Sequence, residues 1–77
     1  MPHIIVKLYP GRTEEQKMRL AEQIAKDVVN IAKCPEEAVS VAIEEVVPDR
    51  WDSEVYKPYI LNNEPNLYIK GGKNLIK

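Results

Sequence analysis

The stretch MPHIIVKL, residues 1–8, opens the chain with the pattern of a β-strand. Its side chains alternate, which places Ile4, Val6 and Leu8 on one face and the residues between them on the other. Pro2 fits this assignment, because proline has no N–H and is tolerated at the first residue of a strand. We therefore expect a strand over residues 3–9 that starts directly after Pro2.

Pro2 has a chemical interpretation beside this structural one. If Met1 is removed, Pro2 presents a secondary amine at the chain terminus, held in a fixed geometry by its ring. Such an amine acts as a base or nucleophile when its surroundings lower its pKa. Most proteins with proline at this position make no use of it, so the rest of the sequence must support the chemical interpretation.

Length and composition set the bounds of the fold. A chain of 77 residues forms one domain, and chains of this size bury only about 60% of their unfolded surface, which makes oligomerisation a common remedy. With 44% hydrophobic and 30% charged residues, the composition is that of a globular protein. The net charge of −1 gives no reason to expect a nucleic-acid or membrane partner.

The number and spacing of cysteine and histidine residues, and the length of the apolar runs, exclude several kinds of site. Cys34 is the only cysteine, so no intramolecular disulfide forms, and we expect it to be a buried or half-buried small apolar residue. No Cys/His cluster has the spacing of metal ligands, so no metal is expected. We see neither a signal peptide nor a membrane span, and expect a cytoplasmic protein.

The segment after the first strand predicts a long amphipathic helix. Residues 13–16 form a capping box, in which the Thr13 hydroxyl accepts the Gln16 N–H and Gln16 reaches back to the N–H of Thr13. The helix extends to about Lys33, since Pro35 disfavours helical backbone at Cys34. Apolar residues recur every three or four positions, at Leu20, Ala21, Ile24, Val28, Ile31 and Ala32.

A second strand is predicted over residues 39–46, with Val39, Val41 and Ile43 facing the helix. Strand, helix and strand then form a βαβ unit with parallel strands, so the fold class is α/β, or α+β. We expect one domain, with a βαβ core over 2–47 and a short helix and tail over 48–77. In that second part, residues 49–57 suggest a helical stretch, and residues 67–70 a short strand or hairpin.

A single βαβ unit leaves one face of its sheet bare, and two strands alone are not stable in water. The bare face carries Ile5, Ser40 and Ala42 and must meet either the tail or another subunit. We therefore expect a homo-oligomer whose subunits complete the fold.

Two N-terminal motifs together resemble the 4-oxalocrotonate tautomerase family. They are Pro2-His3-Ile4 and the stretch GRTEEQK, residues 11–17, at the family's distance from it. The resemblance covers roughly residues 2–51. The stretches VPDRW (47–51) and VYKP (55–58) are more similar to the subgroup containing the bacterial tautomerase PptA. The resemblance implies a tautomerase fold and a homo-oligomer, with a dimer favoured and the hexamer of the founding branch as the alternative.

The resemblance also implies roles for individual residues. Pro2 matches the proline that serves as catalytic base, and Arg12 matches an arginine that binds a substrate carboxylate. Trp51 falls where the founding branch has an aromatic wall. Ser40 departs from the pattern, because that branch has an arginine there that polarises the substrate carbonyl. Arg50 or a bound water could take its place.

The activity implied is enol–keto tautomerisation of a small 2-hydroxyenoate or 2-keto acid, without metal or organic cofactor. Two other interpretations stay open. The chain could be a non-catalytic oligomeric subunit in which Pro2 only starts a strand, or the same scaffold could dehalogenate a haloacrylate by adding water. Without the resemblance, each residue has a simpler interpretation: Arg12 is a solvated turn residue, Trp51 a core or interface residue, and His3 a structural histidine.

Overall fold

The computed structural model describes residues 1–75. Strand β1, His3–Leu8, is followed by helix α1, Glu14–Ala32, and strand β2, Ser40–Glu45. The two strands pair in parallel, with His3 opposite Ser40 and Leu8 opposite Glu45. The predicted βαβ unit is therefore confirmed, and β2 is one residue shorter at each end than expected.

Local chemistry sets both ends of α1. The Gln16 N–H donates to the Thr13 hydroxyl at 3.1 Å, and the Thr13 N–H donates to the Gln16 side chain at 2.9 Å, which confirms the capping box. At the other end Lys33 adopts a left-handed conformation, with φ of 58°. Cys34 follows half-buried, as predicted, with its thiol 3.9 Å from the carbonyl oxygen of Val28.

The helix packs on one face of the sheet, against β2, which covers part of its apolar stripe. Its half-buried apolar residues are Ala21, Ile24, Ala25, Val28 and Val29. Three further members of the predicted apolar stripe are exposed, namely Leu20, Ala32 and Ile31, the last to 79%. A sheet of two strands is too narrow to cover the full width of a five-turn apolar stripe.

The chain divides into two compact units, and the second starts at Val46. It opens with the short helix α2, Pro48–Trp51, which continues as a π-helix over Asp52–Ile60 and a 3₁₀ helix over Leu61–Asn66. Val46 and Val55 are its buried residues among those described.

The predicted end of this helical stretch at Lys57 is wrong, because helical backbone continues through Pro58. In an α-helix the proline ring clashes with the carbonyl four residues earlier. The π-helical turn, with hydrogen bonds to the fifth residue back, accommodates the proline. The N–H of Leu61 accordingly donates to the carbonyls of both Tyr56 and Lys57.

The predicted hairpin near residues 67–70 is confirmed as two short antiparallel strands, β3 (Ile69–Lys70) and β4 (Lys73–Asn74). Gly71 and Gly72 form the connection with φ of 55° and 81°. Two successive positive φ values are the signature of a type I′ hairpin turn, which explains why both positions hold glycine. The Leu75 N–H extends the pairing by donating to the Tyr68 carbonyl at 2.6 Å.

Candidate active site

The parallel register brings together the N-terminal ends of β1 and β2. Pro2 lies half-buried immediately before β1, and its carbonyl oxygen accepts the N–H of Ser40 at 3.2 Å. Met1, which precedes it, is fully exposed. Two of the candidate site residues, Pro2 and Ser40, are thus fixed beside each other by the sheet itself.

His3 lies in the same place. Its Nδ1 is 2.7 Å from the Ser40 hydroxyl, and both side chains are exposed. The two residues are register partners in the parallel sheet, so their side chains project from the same face. Reasoning from the sequence assigned His3 a structural role and did not predict this hydrogen bond. The signal lies in the βαβ pattern, since a parallel register places residue 3 opposite residue 40.

The remainder of this sheet face runs away from Pro2 along the strands. Ile5 is 48% exposed at its centre, beside the half-buried Ala42. At the far end, Lys7 Nζ lies 2.6 Å from Glu44 Oε1. The bare face expected from the sequence therefore has an apolar centre between a histidine–serine pair and a lysine–glutamate ion pair.

Arg12 is not brought to Pro2 of its own chain. It is exposed in the turn that follows β1, and its guanidinium donates to the Tyr9 carbonyl at 3.5 Å. A six-residue strand separates the two residues, which corresponds to about 20 Å at 3.3 Å per residue. Gly11, with φ of 130°, gives this turn a backbone conformation that a side chain would strain.

The two other candidate residues belong to the second unit. Arg50 is exposed on α2, with Nε 3.6 Å from Glu54 Oε2 one turn later. Trp51 is half-buried at the last position of α2. Pro48 at the start of this helix supplies a backbone already set for helical geometry, and so fixes where both side chains emerge.

Two cavities lie elsewhere in the structure. One of about 380 Å³ lies between α1 and β2, and another of about 300 Å³ lies in the second unit. Lining the first are Glu14, Lys17, Met18, Ala21, Val41 and Ile43. The second is lined by Tyr56, Ile60, Leu67, Ile69, Lys70 and Gly71. Neither of these two cavities is lined by a candidate site residue.

Residues 1–75 contain neither a metal-binding cluster of side chains nor a helix that could span a membrane. No group of three or more His, Cys, Asp or Glu side chains in this range is arranged to hold a metal ion. None of the helices described is both long and apolar enough to cross a bilayer.

Comparison with known proteins identifies the family to which the chain belongs. Residues 2–55 match the model of the tautomerase enzyme family, and the chain belongs to that family. Among its relatives, Tautomerase PptA of Pectobacterium carotovorum subsp. carotovorum strain PC1 is 40% identical over 73 residues, covering 94% of this chain and 96% of the relative. A probable tautomerase of Xylella fastidiosa strain 9a5c is 42% identical over 60 residues, 78% of this chain and 73% of the relative.

Solved structures give the same answer for the fold. The crystal structure of YwhB, a homologue of 4-oxalocrotonate tautomerase, is 40% identical and superposes with a TM-score of 0.61, covering 62% of this chain and 79% of that one. The structure of N2, a member of the 4-oxalocrotonate tautomerase family, is 26% identical with a TM-score of 0.61, and covers 99% of this chain and 92% of that one. The predicted family, with its PptA-like relatives, and the predicted fold are both confirmed.

Proposed function

We propose that this protein is an enol–keto tautomerase for small 2-hydroxyenoates and 2-keto acids, with Pro2 as general base after removal of Met1. The neutral proline nitrogen takes a proton from the enol hydroxyl, or from a carbon beside the carbonyl, and returns it to another carbon. This is an isomerisation, so no atoms are gained or lost and no metal or organic cofactor is called for.

The position of Pro2 carries the proposal. The family match begins at this residue, and the sheet holds it through the hydrogen bond from the Ser40 N–H. Met1 is fully exposed, so its removal sacrifices no packing and converts the amide nitrogen of Pro2 into a secondary amine. A cyclic amine fixed at the end of a strand is a base of defined position, which proton transfer requires.

A working base needs a pKa near the pH at which it acts. An ordinary α-amino group titrates at about 8, and a proline amine is somewhat more basic. Apolar surroundings lower the pKa by disfavouring the ammonium form, and a nearby cation does so by repulsion. We assign the apolar contribution to Trp51 and propose Arg50, or a bound water, as the group that polarises the substrate carbonyl.

Arg12 is proposed to bind the substrate carboxylate, which suits the planar fork of a guanidinium. Since Arg12 lies about 20 Å along β1 from Pro2 of its own chain, we assign it to a substrate held at Pro2 of another subunit. The proposed site is thus shared between copies of the chain.

Sharing requires a homo-oligomer, for which we propose a dimer, with a hexamer as the alternative. The exposed apolar side chains of the first unit support it. Ile5 is exposed in the middle of the sheet face, and Leu20 and Ile31 are exposed on α1. A two-stranded sheet with such surfaces is completed by a second copy that extends or covers it.

The test is the rate of ketonisation of the enol of phenylpyruvate across pH, on protein whose mass confirms loss of Met1. We expect a rate well above that of buffer, rising with pH through one ionisation below about pH 8 as Pro2 loses its proton. Protein that retains Met1 is the matched control, because it has the same residues but no basic amine at Pro2.

If protein without Met1 showed no ketonisation above that of buffer, the tautomerase proposal would be contradicted. The interpretation of the chain as a non-catalytic oligomeric subunit would then be favoured. Turnover of a haloacrylate in place of an enol would favour dehalogenation. That reaction uses protonated Pro2 as an acid, and its rate would fall rather than rise as pH passes through the proline pKa.

A further inference from the structure

The side chains of His3 and Ser40 form a hydrogen-bonded pair one residue from Pro2. The imidazole Nδ1 and the serine Oγ are 2.7 Å apart, which is within the range of a good hydrogen bond. The backbone of Ser40 is also tied to Pro2 through its N–H, at 3.2 Å. One residue of β2 therefore fixes both the proposed base and the adjacent imidazole.

The hydrogen bond between His3 and Ser40 leaves at least one further donor on these two side chains. If the serine hydroxyl donates to Nδ1, the neutral imidazole carries its hydrogen on Nε2, which is then a donor. If Nδ1 donates to the serine, the hydroxyl hydrogen is the spare donor, and an imidazolium leaves both. In each arrangement at least one N–H or O–H remains for a further acceptor.

The His3–Ser40 pair is one of two polar ends of a sheet face with an apolar centre. Ile5 and Ala42 are the next residues along the same face, and the Lys7–Glu44 ion pair lies beyond them. The lysine charge is thus compensated by a carboxylate at the far end of the strands, whereas the His3 donor lies beside Pro2. Both side chains of the pair are exposed, so a substrate can reach the spare donor.

We propose that His3 is a further catalytic residue, which donates a hydrogen bond from Nε2 to the oxygen of the substrate's keto or enol group. Ser40 is its positioning residue, because its hydroxyl donates to Nδ1 and so keeps the hydrogen on Nε2. This inference rests on the proposed function. It provides a donor beside Pro2 for the oxygen on which negative charge develops, in the role for which Arg50 or a bound water is the alternative.

The step balances within substrate and site. Pro2 takes the proton of the enol hydroxyl, and the O–H electron pair forms the carbonyl double bond as the carbon–carbon double bond accepts the proton back from the prolinium. The oxygen carries negative charge between these two transfers. The His3 Nε2–H stabilises that charge without giving up its hydrogen, which is the function of an oxyanion donor.

The experiment compares kcat and KM of His3→Leu, His3→Gln, Ser40→Ala and Ser40→Thr for the phenylpyruvate enol, on oligomer of confirmed size and without Met1. His3→Leu removes the donor, and we expect kcat to fall by about 100-fold with KM changed much less, as for other oxyanion donors. His3→Gln places an amide N–H near the position of Nε2 and should recover most of that loss. Ser40→Ala should lower kcat by less than His3→Leu, while Ser40→Thr, which keeps the hydroxyl, should match wild type.

Glu44→Gln is the matched control, because it alters the polar pair at the other end of the same sheet face and should leave kcat unchanged. A wild-type kcat in His3→Leu, alongside an inactive Pro2→Ala, would overturn the role of His3 and leave the proposed function intact. Equal losses in His3→Leu and His3→Gln would also overturn it, since a donor would then not be what matters. An inactive wild-type enzyme would overturn the proposed function and this inference together.

Discussion

Lys17 of α1 joins the helix to the end of β2, with its Nζ 3.2 Å from Glu45 Oε2. The same ammonium lies 2.8 Å from Glu14 one turn earlier in the helix. Its side chain is only 17% exposed, although both carboxylates are more accessible. The ammonium of Lys17 donates hydrogen bonds to Glu14 and, with a smaller effect, to Glu45, and these raise the pKa of Lys17 above its ordinary value of 10.5.

Replacing Lys17 with Met should lower the free energy of unfolding near neutral pH, because the apolar stem is kept and the ionic link is lost. The folded-state pKa lies above the unfolded value, so the link contributes fully below pH 10.5 and is lost as pH rises through the higher folded value. The difference between variant and wild type should therefore shrink above pH 10.5. Urea unfolding at several pH values measures it.

Lys26→Met is the control for Lys17→Met, since Lys26 is exposed on the same helix and its removal changes the net charge equally. A loss of stability as large in Lys26→Met as in Lys17→Met would show that net charge, rather than the link to β2, is responsible.

Replacing Pro2 with Ala should abolish tautomerisation while leaving the size of the oligomer and the circular dichroism spectrum unchanged. Alanine at the chain terminus keeps a primary amine, but it loses the ring that fixes the nitrogen in place. Steady-state rates and size-exclusion chromatography, both on protein without Met1, check the two halves of this prediction. A Pro2→Ala enzyme that works at the wild-type rate would remove Pro2 as the base.

Replacing Arg12 with Ala should raise KM for carboxylate substrates by roughly 10-fold or more, the effect of losing about 1.5–3 kcal/mol from a charged hydrogen bond, with a smaller effect on kcat. Arg12 is exposed and bonded only weakly to Tyr9, so folding should be little affected. Arg19→Ala, an exposed arginine on α1, is the matched control. Equal KM values in the two variants would return Arg12 to the interpretation of a solvated turn residue.

Replacing Gly72 with Ala should weaken the C-terminal hairpin by roughly 1–2 kcal/mol, the cost of holding a side chain in the left-handed region. An added Cβ meets no more distant part of the protein within 4 Å, so the cost arises from the local backbone alone. Hydrogen exchange at the Leu75 amide, which bonds to the Tyr68 carbonyl, reports on the hairpin. Gly71→Asn should cost less, because asparagine tolerates the φ of 55° at that position. Equal protection of Leu75 in Gly72→Ala and wild type would contradict this account.

The sequence by itself determined the βαβ unit and the family. Alternation of side chains marks each strand, and the capping box marks the start of α1. These are local signals, because they depend on residues within a few positions of each other.

Tertiary structure decided which apolar residues of α1 are covered and where the second helical stretch ends. The helix period identifies an apolar stripe but not the extent of the surface that covers it, and Ile31, which belongs to that stripe, is exposed. Pro58 read as the end of a helix, whereas a π-helical turn carries the backbone through it to Ile60.

Only the tertiary structure brought His3, Ser40 and Pro2 together. Residues 3 and 40 are 37 positions apart, and the register of the parallel sheet decides that they face each other. The same sheet separates Arg12 from Pro2 by the length of β1. The resemblance to the family named the residues of the candidate site other than His3. Their grouping depended on strand pairing, which is a non-local interaction and has no signature in any single stretch of the chain.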